Sequence, residues 1–545
     1  MKLYECMDRA ARGESLWLPE LREAFAREKD AGELIIRLTG RHYGAREYSL
    51  RIPRVSGASG GEREFLLRYA AAAVYNLLSV FSAEETVVFA EEEDARRLLA
   101  EKLPGLFEED PGYRKARSIA RRLYGGFRIC VEPLSGRDGP RGPREEPHGR
   151  GGSGQTDLAA LLKKRIRTAE EKNCLGIDIG GSDIKVAASS HGRLLYTREV
   201  NWNPAAFRTA EEFMTPVLTL VREARELLEK SGEAPDAVGI SFPDVVIGDR
   251  IVGGETPKTM GMRANPETDY ETEFAKLGNL REECLRLLPR TASVRLANDG
   301  NMAAFTAAME LAAAPAGEKP GEDALRSGIL AHTLGTDLGT GWLREDGTFP
   351  PIPLEIYKLL LDIGDAPSFA VPPRDLRGTR NENSGMAGLE RYLGQAAAYR
   401  LAWKLDPGLL SGFAAERDGA LMIPTEPEDL RKPCLERLMS LAEGNGAAGE
   451  VFRRIGGHLA MVSREMAWIF GTLPAERFLF GRFVKAPRCF ALLREGFEAA
   501  EKGVRLTAAD DGMANTPLMR RLAESGDVTV AQFGQAVGAI YYALD

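Results

Sequence analysis

The chain has 545 residues, is 44% hydrophobic and 28% charged, and carries a net charge of −8. That length implies about two to four domains, the composition is that of a globular protein, and an acidic balance with no strong basic run argues against nucleic acid as a partner. The most apolar early stretch, Tyr69 to Phe81 (YAAAAVYNLLSVF), is too short to span a bilayer, and MKLYECMDRAARGE has no signal-peptide core, so no membrane partner and a cytoplasmic location are expected.

In chain order, residues 1–135 read as a small α+β domain of unknown role. Strands are expected at Glu33 to Thr39 and Glu47 to Ile52, paired across a turn, and at Glu85 to Ala90, with helices over Glu62 to Ser82 and Asp94 to Lys102. Residues 136–156 (GRDGPRGPREEPHGRGGSGQT) are rich in Gly, Pro and charge and predict a flexible linker. A helix over Asp157 to Lys172 follows, then a hairpin of strands at Cys174 to Ile179 and Ile184 to Ser189. Next come a helix over Ala210 to Lys230, a strand at Ala237 to Phe242, mostly helix over Tyr270 to Leu288, a strand at Val294 to Ala297 and a helix over Asn301 to Leu311. Ala312 to Asp323 reads as a loop. A second hairpin joins Ser327 to Leu334 with Thr340 to Arg344, long helical regions span Met386 to Lys404 and Gly446 to Phe470, and a strand covers Arg477 to Phe480. The alternation predicts α/β lobes with mixed sheets.

Three stretches carry chemistry. In LGIDIGGSDIK, a strand ends at Asp178 and turns through Gly180, Gly181 and Ser182, a turn that exposes backbone N–H groups as an anion nest; Asp178 could hold hydrated Mg²⁺ beside the phosphates. A plain Gly-Gly hairpin would explain the same residues. LGTDLGTGWLREDG repeats the design with Gly335, Thr336, Gly339, Thr340 and Gly341, as suits a triphosphate gripped from two sides. In VRLANDGNMAA, Asn298 and Asp299 end a strand; they serve either as a helix N-cap or, facing a cleft, as a base for an attacking hydroxyl. The six cysteines are scattered, none at Cys-x-x-Cys spacing, and the five histidines form no pair at zinc spacing, so no structural zinc site is expected.

These hairpins, the Asn-Asp strand end and their order resemble the ROK family of sugar kinases and sugar-responsive repressors, within the actin-like ATPase and hexokinase superfamily. The resemblance covers about residues 174–545. It extends to GISFPDVVIGDRIV, where the usual Pro-Gly is Pro243-Asp244, to LPAERFLFGRFV, where only Gly481 stands in place of two glycines, and to the final AQFGQAVGAIYYAL, similar to a C-terminal helix that folds back on the first lobe. It implies a two-lobed actin-like ATPase (ribonuclease H-like) fold, with a first lobe at 157–300 rejoined by 528–545 and a second lobe at 301–527. It also implies ATP- and Mg²⁺-dependent phosphorylation of a hydroxyl on a sugar or polyol. Asp299 would be the general base, Asn298 a sugar ligand, Asp178 the Mg²⁺-side acid acting mostly through water, and Gly180, Gly181, Ser182, Gly335, Thr336 and Gly339 the phosphate cradle, with Gly481 beside the adenosine. Members often form homodimers.

The departures are as informative. Where the family has Glu-x-Gly-His, this chain has Glu355 and, in the His place, Lys358; the cysteine-bearing zinc loop is replaced by Arg374 to Glu390 without cysteine, although Glu390 matches the closing sugar-binding acid. Zinc is therefore expected to be absent and the sugar pocket rebuilt, with Lys358 either exposed or meeting an anionic substituent. Asp337 replaces a glycine beside the phosphates, which disfavours triphosphate binding unless it points away or meets Mg²⁺. The alternative function is a sugar- or nucleotide-sensing protein without catalysis; a repressor is disfavoured by the acidic balance.

Overall fold

Two glycine-rich hairpins, each inside its own mixed sheet, organise the computed structural model of this chain. It describes residues 3–136, 157–230, 232–254, 256–315, 321–364, 375–378, 387–509 and 513–544. The expected linker and most of the Arg374 to Glu390 loop lie outside them.

The N-terminal segment runs α1 (Leu3–Ala11), α2 (Leu18–Ala26), β1 (Gly32–Gly40), β2 (Gly44–Ile52), α3 (Gly60–Phe81), β3 (Glu85–Ala90), α4 (Glu93–Glu109), α5 (Arg114–Tyr124) and β4 (Arg128–Pro133). Its sheet order is β2-β1-β3-β4, with β1 and β2 antiparallel as expected. Ser59 and Glu62 close a capping box that starts α3. Every residue from Phe65 to Phe81 except Arg68 is buried, because α3 lies between its own sheet and the second half of the chain. Its one amide, Asn76, is satisfied there: its Nδ2 donates to the Leu360 carbonyl and to Glu465, both at 2.9 Å, and its Oδ1 accepts the Leu360 N–H at 2.8 Å. One apolar core runs from α3 into residues 330–506. Pattern reading missed α5 (RKARSIARRLY), where arginines dilute the apolar stripe, and the edge strand β4.

The next elements are α6 (Leu158–Ala169), β5 (Asn173–Ile179), β6 (Asp183–Ser190), β7 (Arg193–Asn201), α7 (Ala210–Lys230), β8 (Ala237–Phe242), β9 (Val246–Ile247), β10 (Arg250–Ile251), α8 (Met260–Ala264), α9 (Tyr270–Leu277), α10 (Leu280–Arg286) and β11 (Ser293–Asn298). The sheet order is β11-β8-β5-β6-β7. β5, β8 and β11 are parallel, and β6 turns back antiparallel, a ribonuclease H-like arrangement. The edge strand β7 has no counterpart in the sequence pattern; it is largely solvent-facing, so its alternation carries little apolar signal.

The second half runs α11 (Asp299–Ala313), α12 (Gly321–Ser327), β12 (Ile329–Leu334), β13 (Leu338–Leu343), β14 (Leu360–Asp362), β15 (Ala387–Gly388), α13 (Gln395–Leu405), β16 (Ala415–Arg417), β17 (Ala420–Met422), α14 (Arg431–Leu441), α15 (Gly446–Phe470), β18 (Glu476–Gly481), α16 (Pro487–Ala500), β19 (Arg505–Ala508), α17 (Pro517–Glu524) and α18 (Val530–Tyr542). Its sheet, β13-β12-β18-β19, again opens on a hairpin and continues in parallel. The single helix expected over Met386 to Lys404 is corrected: Gly394, at φ 86°, is the N-cap, and helix begins only at Gln395. The expected Ala312–Asp323 loop is shorter, since α11 reaches Ala313 and α12 starts at Gly321.

The returning helix α18 packs on the first sheet. A Cβ on Gly176 would overlap the Ala536 carbonyl and one on Gly239 the Ala539 carbonyl, so these strand glycines admit the helix backbone. Ser241 donates to Gln535 at 3.1 Å.

Candidate active site

Parallel strands gather their C-terminal ends on one side of a sheet, where open α/β folds present their ligand-binding loops. β5 ends at Ile179, just before Gly180, β8 at Phe242, just before Pro243-Asp244, and β11 at Asn298, just before Asp299, while in the second sheet Leu334 and Gly481 are register partners at the ends of β12 and β18. Asp178, Ser241 and Asn298 lie on three adjacent strands, with Asp178 paired to Ser241 and Phe242 to Asn298.

Asn298 caps α11: its Oδ1 accepts the Gly300 N–H at 2.9 Å. Its Nδ2 donates to the Asp244 carbonyl and to Asp299 Oδ1, both at 3.0 Å. Asp299 Oδ1 also accepts the Gly300 N–H at 2.8 Å. Cap and strand end are thus one arrangement, and Asn298 aims the Asp299 carboxylate. A sugar hydroxyl at Asn298 would share a position already used. Burial pushes the Asp299 carboxyl above its usual range and Glu355 adds to the rise, against the pull of Lys258.

The first hairpin divides its roles. The Gly180 N–H closes the turn on the Asp183 carbonyl at 2.8 Å, and a Cβ there would stand 2.9 Å from that oxygen, so Gly180 shapes the turn instead of offering its N–H. The N–H groups of Gly181 and Ser182, both exposed, have no partner among the described residues. Ser182 Oγ donates to Asp183 at 2.9 Å. Half-buried Asp178 has its carboxyl raised to about 6, by burial first and further by the neighbouring Asp299 and Asp183, against the pull of Lys185 and Ser241. Among the described residues no three His, Cys, Asp or Glu side chains are placed to ligate a metal ion directly, so a cation beside Asp178 would keep most of its ligands as water.

In the second hairpin the Gly335 N–H donates to the Asp337 carbonyl at 3.1 Å, and the Gly335 carbonyl accepts the Gln395 N–H at 3.0 Å, tying the turn to the start of α13. Thr336 and Asp337 are exposed. Gly339 faces Thr333, whose hydroxyl a Cβ would strike, and Gly481, at φ 105°, abuts the Leu334 carbonyl. A Cβ on Gly341 would overlap the Gly300 carbonyl, and one on Gly300 the Thr340 carbonyl. The start of the Asp299 helix is thereby seated directly on this hairpin.

Pattern reading missed two side chains, Lys258 and Lys115, and gave a third, Asp244, no role. Lys258 lies beside Gly181, whose Cβ would stand 3.4 Å from its Cε, and its ammonium donates to the Pro243 carbonyl at 3.3 Å. It is held by a loop fastened at the Gly254 carbonyl, which accepts from Thr259 and Arg263, each at 2.6 Å, and from Tyr270. Asp244, 5% exposed, stands where the resemblance expects glycine. Lys115 of α5 pairs with Glu355, and both are buried. Lys258 and Lys115 sit in no patterned motif, and Asp244 lies in GISFPDVVIGDRIV only as a departure from glycine; the setting of each arises by tertiary contact. Lys358 lies 4.9 Å from the Tyr357 ring, on the edge of the same group. The side chain of Glu390 lies outside the described residues.

Asp244 gives a test of this electrostatic setting. Burial first, then Glu355, raises its carboxyl to about 6. The folded state therefore binds its proton more tightly than the unfolded chain, and stability falls as pH rises from the ordinary carboxyl range to about 6. Asp244→Asn is expected to stabilise the ligand-free protein by about 2 kcal/mol at pH 7.5, with the gain gone by pH 4. Denaturant titrations at the two pH values check this.

No protein-family model and no curated protein matches the chain. Among solved structures it is similar to a ROK family glucokinase from Streptomyces griseus in complex with glucose and AMPPNP, at 19% identity and a TM-score of 0.41, over 68% of this chain and 99% of that one. It is similar to a ROK hexokinase from Thermus thermophilus at 18% and 0.40, over 68% and 97%. It is also similar to a ROK family transcriptional regulator, a homolog of the E. coli MLC protein, at 13% and 0.42, over 68% and 81%.

Proposed function

We propose that the protein is a ROK-type kinase that transfers a phosphoryl group from ATP to a hydroxyl of a sugar or sugar-like polyol. One observation carries the reading: Asp299 is aimed by Asn298 and by the start of its own helix, and that helix start is seated on the second glycine-rich hairpin. A base and a phosphate-binding turn built as one unit suit in-line transfer, which depends on positioning and charge stabilisation.

In this reading Asp299 accepts the proton of the attacking hydroxyl, and its raised affinity for a proton suits the task. The N–H groups of Gly181, Ser182 and Thr336 receive phosphate oxygens, Gly180, Gly335 and Gly339 shape the turns, and Gly481 flanks the adenosine. Asp178 would hold Mg²⁺ through water, and the ion would neutralise phosphate charge. Lys258, between the first hairpin and Asp299, meets the transferred phosphoryl group. Glu355, Asn298 and Lys358 line the sugar.

The test is ADP release by purified protein with Mg-ATP across neutral hexoses, amino sugars, sugar acids and polyols. Release dependent on one sugar supports the reading. Sugar binding without release would favour the non-catalytic sensor, for which the engagement of Glu355 by Lys115 is the specific motive. Lys258→Met is expected to lower kcat about 100-fold, as loss of a preorganised charge in a phosphoryl-transfer site does, while sugar affinity stays within twofold. Unchanged kcat would remove Lys258 from the site.

A further inference from the structure

Helix α5 belongs to the N-terminal segment, yet it joins both halves of the candidate site. Lys115, Ile119 and Arg122 stand four and three residues apart and share one face. Ile119 packs with Val245 and Val252. Arg122 donates to the Gly253 carbonyl and pairs with Glu271, its guanidinium 4.2 Å from the Phe274 ring centre. These contacts fasten α5 to the loop that follows β8. At its other end, Lys115 reaches across to Glu355 and to the Tyr357 hydroxyl at 2.6 Å, beyond β13.

Lys115 is only 7% exposed. An ammonium has three N–H donors. Glu355 takes one and Tyr357 another, and no described residue offers an oxygen to the third. An unmet donor on a buried ammonium costs free energy unless a ligand atom completes it. The charges bearing on Lys115 are Glu355, Lys358 and Asp244. With Lys115 itself, and with Lys258, Asp337 and Asp299, which bear on Asp244, Tyr357 and Glu355 in turn, they make three cations and four carboxylates, so this corner has no positive excess with which to recruit an anion.

We infer that Lys115 is a substrate-contacting residue contributed by the N-terminal segment, donating its third N–H to a hydroxyl oxygen of an uncharged polyol held at Glu355. This rests on the proposed sugar site and adds to it a wall that comes from outside the two hairpin-bearing sheets.

The experiment is calorimetric titration of the full chain, loaded with Mg²⁺ and a nonhydrolysable ATP analogue. The titrants are glucose, mannose, fructose, N-acetylglucosamine, gluconate and glucuronate. One neutral sugar is expected to bind, and Lys115→Met is expected to weaken it at least tenfold while nucleotide affinity is unchanged. Neutral-sugar affinity unchanged in Lys115→Met overturns the inference and leaves the kinase reading standing. A sugar acid preferred over its neutral parent overturns the charge argument. If nucleotide binds but no sugar binds the wild type, the acceptor reading fails, and the inference with it. Should Lys115→Met lose its cooperative melt, ¹⁵N-lysine spectra of the wild type decide. The Nζ resonance missing from Lys115→Arg is expected to shift on saturation with the sugar, and an unmoved resonance overturns the inference.

Discussion

Asp299→Asn is expected to lower sugar-dependent ADP release by about 10³-fold, the span that a positioned general base supplies, while the protein melts as the wild type does and binds Mg-ATP with the same affinity. Asparagine preserves the shape of the side chain and can still accept the Gly300 N–H that meets Asp299 Oδ1 at 2.8 Å. Only the ability to take a proton is lost. The pH dependence follows from the same group. Burial raises the Asp299 carboxyl, so the active, ionised form appears at higher pH than an ordinary aspartate would allow, and kcat/KM should fall on the acid side of neutrality. An Asp299→Asn enzyme retaining more than a tenth of wild-type turnover would assign the base elsewhere. Lost nucleotide binding would mean instead that the side chain holds the fold of the site.

Gly341→Ala is expected to destabilise the protein by about 3 kcal/mol, as overpacking in a close-packed interior does, and to reduce turnover by at least tenfold even well below the melting temperature. The methyl group would overlap the Gly300 carbonyl and approach the Asn301 N–H at a point where both neighbours are backbone. Neither can rotate away, so β13 or the start of α11 must move. Gly335→Ala is the control. A Cβ there meets nothing within 4 Å, and Gly335 is not among the positive-φ glycines, so its stability should stay within about 0.5 kcal/mol of wild type. Chemical denaturation of both variants, with ADP release at 25 °C, tests the pair. Equal effects would show that the two glycines serve the turn alone and that the contact between hairpin and helix is not what positions Asp299.

The legible parts of this protein are those where chemistry and local geometry coincide in consecutive residues. DIGGSDIK spells a strand, a turn and a returning strand, and NDGN spells a cap and a helix start, so short runs of residues suffice to place Asp178, the two hairpins, Asn298 and Asp299. The apolar periodicities of α7 and α15 set those helices at Ala210–Lys230 and Gly446–Phe470, with bounds matching the structure. Among the described residues no helix is long and apolar enough to cross a membrane.

What tertiary structure decided is how distant strand ends and loops meet. Gly180 and Gly335 read as phosphate donors, yet their N–H groups are spent inside their own turns, which depends on backbone angles that no residue type dictates uniquely. Lys258 and Lys115 carry no motif, and Asp244 is legible only as a departure from glycine, because a single charged residue in a loop or on a helix is indistinguishable from a solvated one until its neighbours are known. Glu355 and Lys115 are 240 positions apart in the chain. Their pairing is specified by the burial of α3 against the second half of the chain and by the docking of α5 on the first, an outcome of packing summed over many side chains and written in none of them alone.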